Sequence, residues 1–232
     1  MKTLGMIGGI GPESTVDYYL SILQRYKERR PDGGAPSILI NSVDLDRLRR
    51  NFELGELASA AQYFVAEIRR LAAAGADFGL LSANTAHIVF DEVQSQSPIP
   101  LISMTRATCD AATSMGLKKV GLLGTRFTMR ARFYPESLSR EGIALAVPSE
   151  DEQAYIHEKY FDELVKGIFL PATRGQFVSI VERMKEQEGI DGLILGGTEL
   201  PLLLRAARDL GIPFLDTTRI HVEAAVEELL RE

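Results

Sequence analysis

The chain repeats itself. Gly5-Met6-Ile7-Gly8 is similar to Gly121-Leu122-Leu123-Gly124 at an offset of 116. Ala76-Asp77-Phe78-Gly79-Leu80-Leu81 matches Ile190-Asp191-Gly192-Leu193-Ile194-Leu195 at an offset of 114, and Ile99-Pro100-Leu101-Ile102 matches Ile212-Pro213-Phe214-Leu215 at 113. Short apolar runs near glycine are common in parallel strands, so each match alone is weak. Three in one order at nearly constant spacing predict two similar halves of roughly 115 residues each.

Within each half short apolar runs alternate with longer amphipathic stretches. Thr3–Ile7, Ser37–Val43, Phe78–Leu81 and Leu101–Ile102 are continuous rather than alternating, as strands buried on both faces are. Lys119–Leu123, Ala144–Val147 and Gly192–Leu195 repeat the pattern. Between them the spacing predicts helices. Ser14–Arg30 follows Pro12 and places Val16, Tyr19, Leu20 and Leu23 on one face; Glu56–Ala74 does so with Leu57, Ala60, Ala61, Phe64, Ile68 and Leu71, and Gly75 supplies its C-cap. Asp151–Phe169, Thr173–Gln187 and Leu200–Leu210 are the helices of the second half. The fold class that follows is α/β, two pseudo-symmetric domains each with a parallel sheet flanked by helices. The expected domains are 1–98 plus 215–232, and 99–214, because the final helix, Thr217–Leu230, is expected to pack back on the first.

With 45% hydrophobic residues the chain has material for real cores, which excludes disordered and collagen-like classes. No apolar run approaches the ~20 residues of a membrane span, and Met1–Glu13 lacks the cleavage site of a signal peptide. No membrane partner is expected. A single cysteine, Cys109, excludes an internal disulfide and a multi-thiolate zinc site. It reads as a small buried hydrophobe, and a cytoplasmic location is expected. The net charge of -6 argues against a nucleic-acid partner, which calls for a basic face.

In open parallel sheets ligands bind where strands end and helices begin. The candidate loops are therefore Gly8–Thr15, Ser82–His87, Gly124–Thr128 and Gly196–Glu199, and the repeat pairs the first with the third and the second with the fourth. Gly8-Gly9-Ile10-Gly11-Pro12 is not a P-loop, since no Gly-Lys-Ser/Thr follows, and it lacks a full dinucleotide fingerprint. Its backbone N–H groups at Gly9 and Gly11 suit a carboxylate at a helix N-terminus; a tight strand-to-helix turn without ligand is the alternative. Asn84 and Thr85 are candidate hydrogen-bond donors, with helix capping by Thr85 as the alternative. His87 reads first as a structural histidine. His157 and His221 fit no metal-ligand spacing, so no metal is expected.

Gly8–Thr15, Ser82-Ala83-Asn84-Thr85-Ala86-His87, Gly121-Leu122-Leu123-Gly124-Thr125 and Leu195-Gly196-Gly197-Thr198-Glu199 resemble the four signature segments of the aspartate/glutamate racemase family. The resemblance implies two domains with a ligand cleft between them, a homodimer, and PLP-independent racemisation by two-base α-proton transfer with no cofactor. The implied ligand is an acidic amino acid or small dicarboxylate. The implied binding residues are Gly9, Gly11, Arg47, Asn84, Thr85, Thr125, Lys166, Thr198 and Glu199, with Phe52 in a loop over the ligand.

One departure stands out. Members of the family commonly carry cysteines in Cys-Asn-Thr-x-His and Gly-Cys-Thr-Glu, one on each side of the substrate. Here Ala83 and Gly197 hold those catalytic places, and neither side chain can accept or give a proton. Loss of a positioned acid–base group costs ~10²–10⁴ in rate. The sequence therefore reads as a racemase-family isomerase with impaired turnover. A non-catalytic small-carboxylate binding protein is the alternative, followed by another proton transfer served by His87, Glu199 or Lys166.

Overall fold

The computed structural model describes residues 2–204 and 210–231. It divides into two compact units, Met1–Met104 with His221–Glu232, and Thr105–Ile220. Each unit holds one parallel four-stranded sheet. In the first, β1 (Thr3–Gly8), β2 (Ser37–Ser42), β3 (Phe78–Leu81) and β4 (Leu101–Ile102) lie in the order β2-β1-β3-β4. In the second, β5 (Lys119–Gly124), β6 (Ala144–Ala146), β7 (Gly192–Gly196) and β8 (Phe214–Asp216) lie in the order β6-β5-β7-β8. The orders are equivalent, so the sequence repeat is a repeat of topology. Helices α1 (Pro12–Arg29), α2 (Leu45–Glu53), α3 (Leu57–Ala73) and α4 (Phe90–Gln96) belong to the first unit. They are followed by α5 (Met104–Ser114), α6 (Arg126–Arg130), α7 (Phe133–Arg140), α8 (Glu150–Asp162), α9 (Pro171–Arg183), α10 (Leu200–Leu204) and α11 (Thr217–Leu230). Residues 205–209 of the helix expected at Leu200–Leu210 lie outside the described residues.

The central strands β1, β3, β5 and β7 are buried almost throughout, whereas the edge strands are only partly covered. That is why their sequences run apolar without alternation. The matched segments of the repeat begin with the same device. The Asp77 carboxylate accepts from Thr3 N–H at 2.6 Å while its own N–H donates to the Thr3 carbonyl at 2.9 Å. The Asp191 carboxylate accepts from Lys118 N–H at 2.8 Å and Lys119 N–H at 3.0 Å, and its N–H donates to the Lys119 carbonyl at 2.8 Å. Each aspartate thus satisfies the first donors of the neighbouring central strand, which would otherwise lack partners. Gly75, with φ 101°, closes α3 in the left-handed conformation expected of it.

Two helical faces differ from expectation. On α1 the buried residues are Ser14, Tyr18, Ile22 and Tyr26, whereas Val16, Tyr19 and Leu20 are exposed. The tyrosines win the inward side because their hydroxyls find partners: Tyr18 Oη lies 3.0 Å from His221 Nδ1, inside a cluster with Leu4, Met6, Val222 and Val226. On α3 Leu57 is exposed, and Ala60, Ala61, Phe64, Ile68 and Leu71 are buried as expected. The last helix packs on the first unit, through Val222, Ala225, Val226 and Leu229. The first unit extends to Met104, which is buried in the same cluster, and resumes at His221, whose ring donates to the Ile102 carbonyl at 2.9 Å.

Candidate functional site

The loops at the carboxyl ends of the strands are built differently in the two units. After β1, Gly9 has φ +80°, and a Cβ there would lie 2.6 Å from the Val43 carbonyl oxygen, so only glycine fits. The turn is stapled by Thr15. Its hydroxyl accepts from Gly9 N–H at 2.8 Å and donates to the Gly11 carbonyl at 3.1 Å. Gly11 precedes α1 with φ 93° and offers no side-chain cap, and Pro12 opens the helix, where its missing N–H costs nothing. The Gly9 donor is therefore used within the turn.

After β2 the Asp44 side chain caps α2 by accepting from Arg47 N–H at 3.1 Å. The Arg47 guanidinium is exposed and lies 4.2 Å from the centre of the Tyr63 ring, a cation–π stack. The neighbouring Arg49 lies instead between Asp46 at 3.7 Å and Glu53 at 3.8 Å. Phe52 lies in the last turn of α2 rather than in a loop, half-buried against the core formed by Val43, Leu48 and Phe64. The Asp44 cap starts that helix, and its motif is local enough to read in the sequence.

After β3 the Ser82 hydroxyl and N–H both donate to the Ile7 carbonyl, at 2.8 and 3.1 Å. Ala83 and Asn84 are buried and Thr85 is half-buried. Thr85 opens a 3₁₀ turn, Thr85–Val89, with Asn84 at the cap position, so Thr85 does not serve as its cap. His87 is structural. Its Nδ1 lies 3.0 Å from the Ala83 carbonyl and its Nε2 accepts from Met104 N–H at 3.0 Å. A carbonyl only accepts and an amide only donates, so the ring is the neutral Nδ1–H tautomer. Stacked on Phe90, its centroid 4.9 Å away, and wholly buried, it is pushed down to about 4 by desolvation. His221, buried beside it, is pushed down to about 3, again chiefly by burial.

In the second unit Thr125 is buried and caps α6, its Oγ1 accepting from Thr128 N–H at 3.3 Å. His157 Nδ1 accepts from Arg126 N–H at 3.2 Å between the rings of Phe127 and Phe161. Lys166 ends a short 3₁₀ turn, exposed, 3.9 Å from Asp162. After β7 come Gly196, Gly197, Thr198 and Glu199. The Glu199 carboxylate accepts from the Thr198 hydroxyl at 2.8 Å and from the Tyr160 hydroxyl of α8. Burial, with the Glu199 charge next, holds the Tyr160 phenol well above its ordinary value, so it remains a donor.

Tyr160 was not legible as a site residue. Its spacing from Gln153 and Ile156 marks only a buried helix face, and nothing local places it beside residue 197. Cys109 is buried in the second core and its thiol is pushed up to about 12, first by desolvation. Among the described residues no group of three or more His, Cys, Asp and Glu could hold a metal ion. Nor is any described helix long and apolar enough to cross a membrane.

Comparison with known proteins bears on what these loops serve. The Asp/Glu/hydantoin racemase family matches residues 7–225. A structure from Yersinia pestis, described provisionally as an Asp/Glu racemase, is 33% identical, with full coverage of both chains and a TM-score of 0.91. An aspartate racemase homologue from Pyrococcus horikoshii OT3 is likewise 33% identical over both full chains, with a TM-score of 0.86. The broad specificity amino-acid racemase RacX of Bacillus subtilis is 21% identical over 98% of each chain. A fold of two parallel four-stranded units and a family match from the first strand to the last helix lead to one conclusion: the chain belongs to the Asp/Glu/hydantoin racemase family.

Proposed function

We propose that the chain binds an acidic amino acid through the loops that follow its strands, with Asn84 and Thr85 in the first unit and Thr198 and Glu199 in the second as the candidate binding groups. Family membership supports amino-acid racemase function in general. The observation that carries the finer reading is the equivalence of the two loops. Ser82–Thr85 follows β3 and Gly196–Glu199 follows β7, and each strand holds the same place in its sheet. Arg47 adds an exposed guanidinium after β2, and its planar fork suits a substrate carboxylate. Gly9, Gly11, Thr125, Phe52 and Lys166 are carried over from the family resemblance alone, and for Gly9 and Thr125 the internal bonds described above weigh against a direct role.

Two-base racemisation needs one proton carrier on each face of the α-carbon. Ala83 and Gly197, read as the places of the family's thiols, supply none. The chain's one thiol is buried, and its raised pKa keeps it protonated at neutral pH. We therefore propose a preserved binding site with little turnover, working without a cofactor. Binding of aspartate or glutamate at millimolar concentration, measured by calorimetry, tests the site. NMR of α-proton exchange in D₂O, with both enantiomers, tests turnover. Absence of binding overturns the site; rapid exchange overturns the impairment and directs attention to Glu199. We also propose self-association as a dimer through the exposed α1 residues Val16, Tyr19 and Leu20. A cytoplasmic setting accords with a lone, buried cysteine.

A further inference from the structure

Gly197 is not required by its backbone. Its φ lies outside the left-handed region, so any L-residue could adopt the conformation there. The nearest obstacle to a side chain there is Tyr160. A Cβ on residue 197 would lie 2.7 Å from Cε2 and 2.9 Å from Cζ of Tyr160, with the hydroxyl closer still, and these three atoms are its nearest contacts. Real Cβ atoms do not approach so closely, and the ring is buried on α8, where it cannot swing aside without opening the core. The same hydroxyl donates to Glu199, which also takes the Thr198 hydroxyl.

We propose that Tyr160 takes up the space of a residue-197 side chain and is the positioning residue for Glu199, so that the second unit's loop keeps its binding groups but is closed to a thiol. The proposal deepens the reading of a racemase-family site and rests on it for its ligand. It has a consequence for any attempt to restore turnover. Gly197→Cys places its Cβ where the phenol already stands, and Tyr160→Phe leaves the obstructing ring carbons in place; loss of the ring makes room.

A thermal-melt cycle tests the packing without any ligand. Gly197→Ala alone is expected to lower Tm by about 5 °C or more, in line with overpacking of a small unit. In a Tyr160→Ala background, or Tyr160→Leu should that variant not fold, the same change is expected to shift Tm by less than about 2 °C. Equal shifts in the two backgrounds overturn the proposal. The positioning role is read by calorimetry: Tyr160→Phe keeps Tm within about 3 °C but weakens glutamate or aspartate about tenfold, the scale of a hydrogen bond to a charged group. Unchanged affinity overturns that role. Finally, α-proton exchange is measured in an Ala83→Cys background. Adding Gly197→Cys with Tyr160→Ala is expected to give exchange at least ~100-fold faster than Gly197→Cys with Tyr160 retained. Equal, measurable rates refute the steric argument. If the melt cycle behaves as expected and no variant binds or exchanges any acidic amino acid, the packing stands and the racemase-site reading falls.

Discussion

Lowering the pH from 7 to 5 is expected to remove about 4 kcal/mol of stability, through two histidines of the first unit. His87 and His221 are held neutral, at about 4 and about 3, against about 6.5 for an unfolded imidazole. A base whose folded pKa is depressed binds protons in the unfolded state first. Its stabilisation is therefore complete above about pH 6.5 and falls as pH drops toward the folded value. At pH 5 each group contributes a loss of about 2 kcal/mol, and at pH 4 about 3 kcal/mol, together a large part of the ~5–15 kcal/mol of a typical domain. The chemistry at His87 agrees with the sign: a proton added at its Nε2 faces the Met104 N–H donor. Most carboxylates remain ionised down to pH 5, so the interval from 7 to 5 largely isolates the imidazoles. Urea unfolding followed by circular dichroism at the two pH values measures the loss, and imidazole ¹⁵N shifts report the two titrations. A loss under about 1 kcal/mol, or ring titrations near 6.5, would refute the reasoning.

Gly9→Ala is expected to destabilise by about 2–4 kcal/mol, since it adds both a clash with the Val43 carbonyl and left-handed strain, while Gly75→Ala, with open space around it, loses only about 1 kcal/mol; thermal melts compare them. Asp191→Ala strips the acceptor from two strand N–H groups and should lose about 1–2 kcal/mol in urea, more than Asp77→Ala, whose carboxylate serves one. Leu20→Glu, on the exposed stripe of α1, should leave stability within about 0.5 kcal/mol yet shift sedimentation toward the monomer; a large loss of stability would mean the stripe is not a surface. Cys109 should react with a disulfide reagent only once the chain is denatured, because its thiol is both buried and protonated.

What the sequence made legible follows from what is periodic or repeated. Among the described residues, continuous apolar runs locate seven of eight strands to within a residue or two at either end, and Ile212–Leu215 marks the eighth, because burial on both faces leaves no room for alternation. The repeat predicts two similar halves, and the fold adds that their sheets share one strand order. Where reading failed, a competing interaction decided the matter. Hydrophobicity alone ranks Leu20 above Tyr18 for the inward face of α1, yet Tyr18 has both a ring to bury and a hydroxyl that bonds with His221. Helix α2 is short and strongly polar, and the Asp44 cap is its local signal. The loop positions came from spacing; their partners could not. Tyr160 and Glu199 are 39 residues apart, and the packing of α8 against β5, the strand beside β7, brings them together.

The repeat also separates what holds this fold from what varied on it. At the strand beginnings the halves agree in detail: Asp77 and Asp191 satisfy the neighbouring strand, and Gly79 N–H to Pro100 at 2.9 Å is matched by Leu193 N–H to Pro213 at 3.0 Å. Those contacts serve the sheet, and their loss leaves strand N–H groups without a protein acceptor. At the strand ends the halves part. Ala83 lies in an apolar wall with Val89, Phe90 and the backbone-bonded His87, and its methyl already occupies the first position of any longer side chain. Gly197 has given even that position to Tyr160. On the proposed reading, residues 83 and 197 lack a proton carrier for different physical reasons. At 83 a methyl stands where a longer side chain would begin; at 197 the space is filled from a second helix. On that reading a change at one residue suffices at 83, whereas 197 is coupled across two elements and requires both to change together.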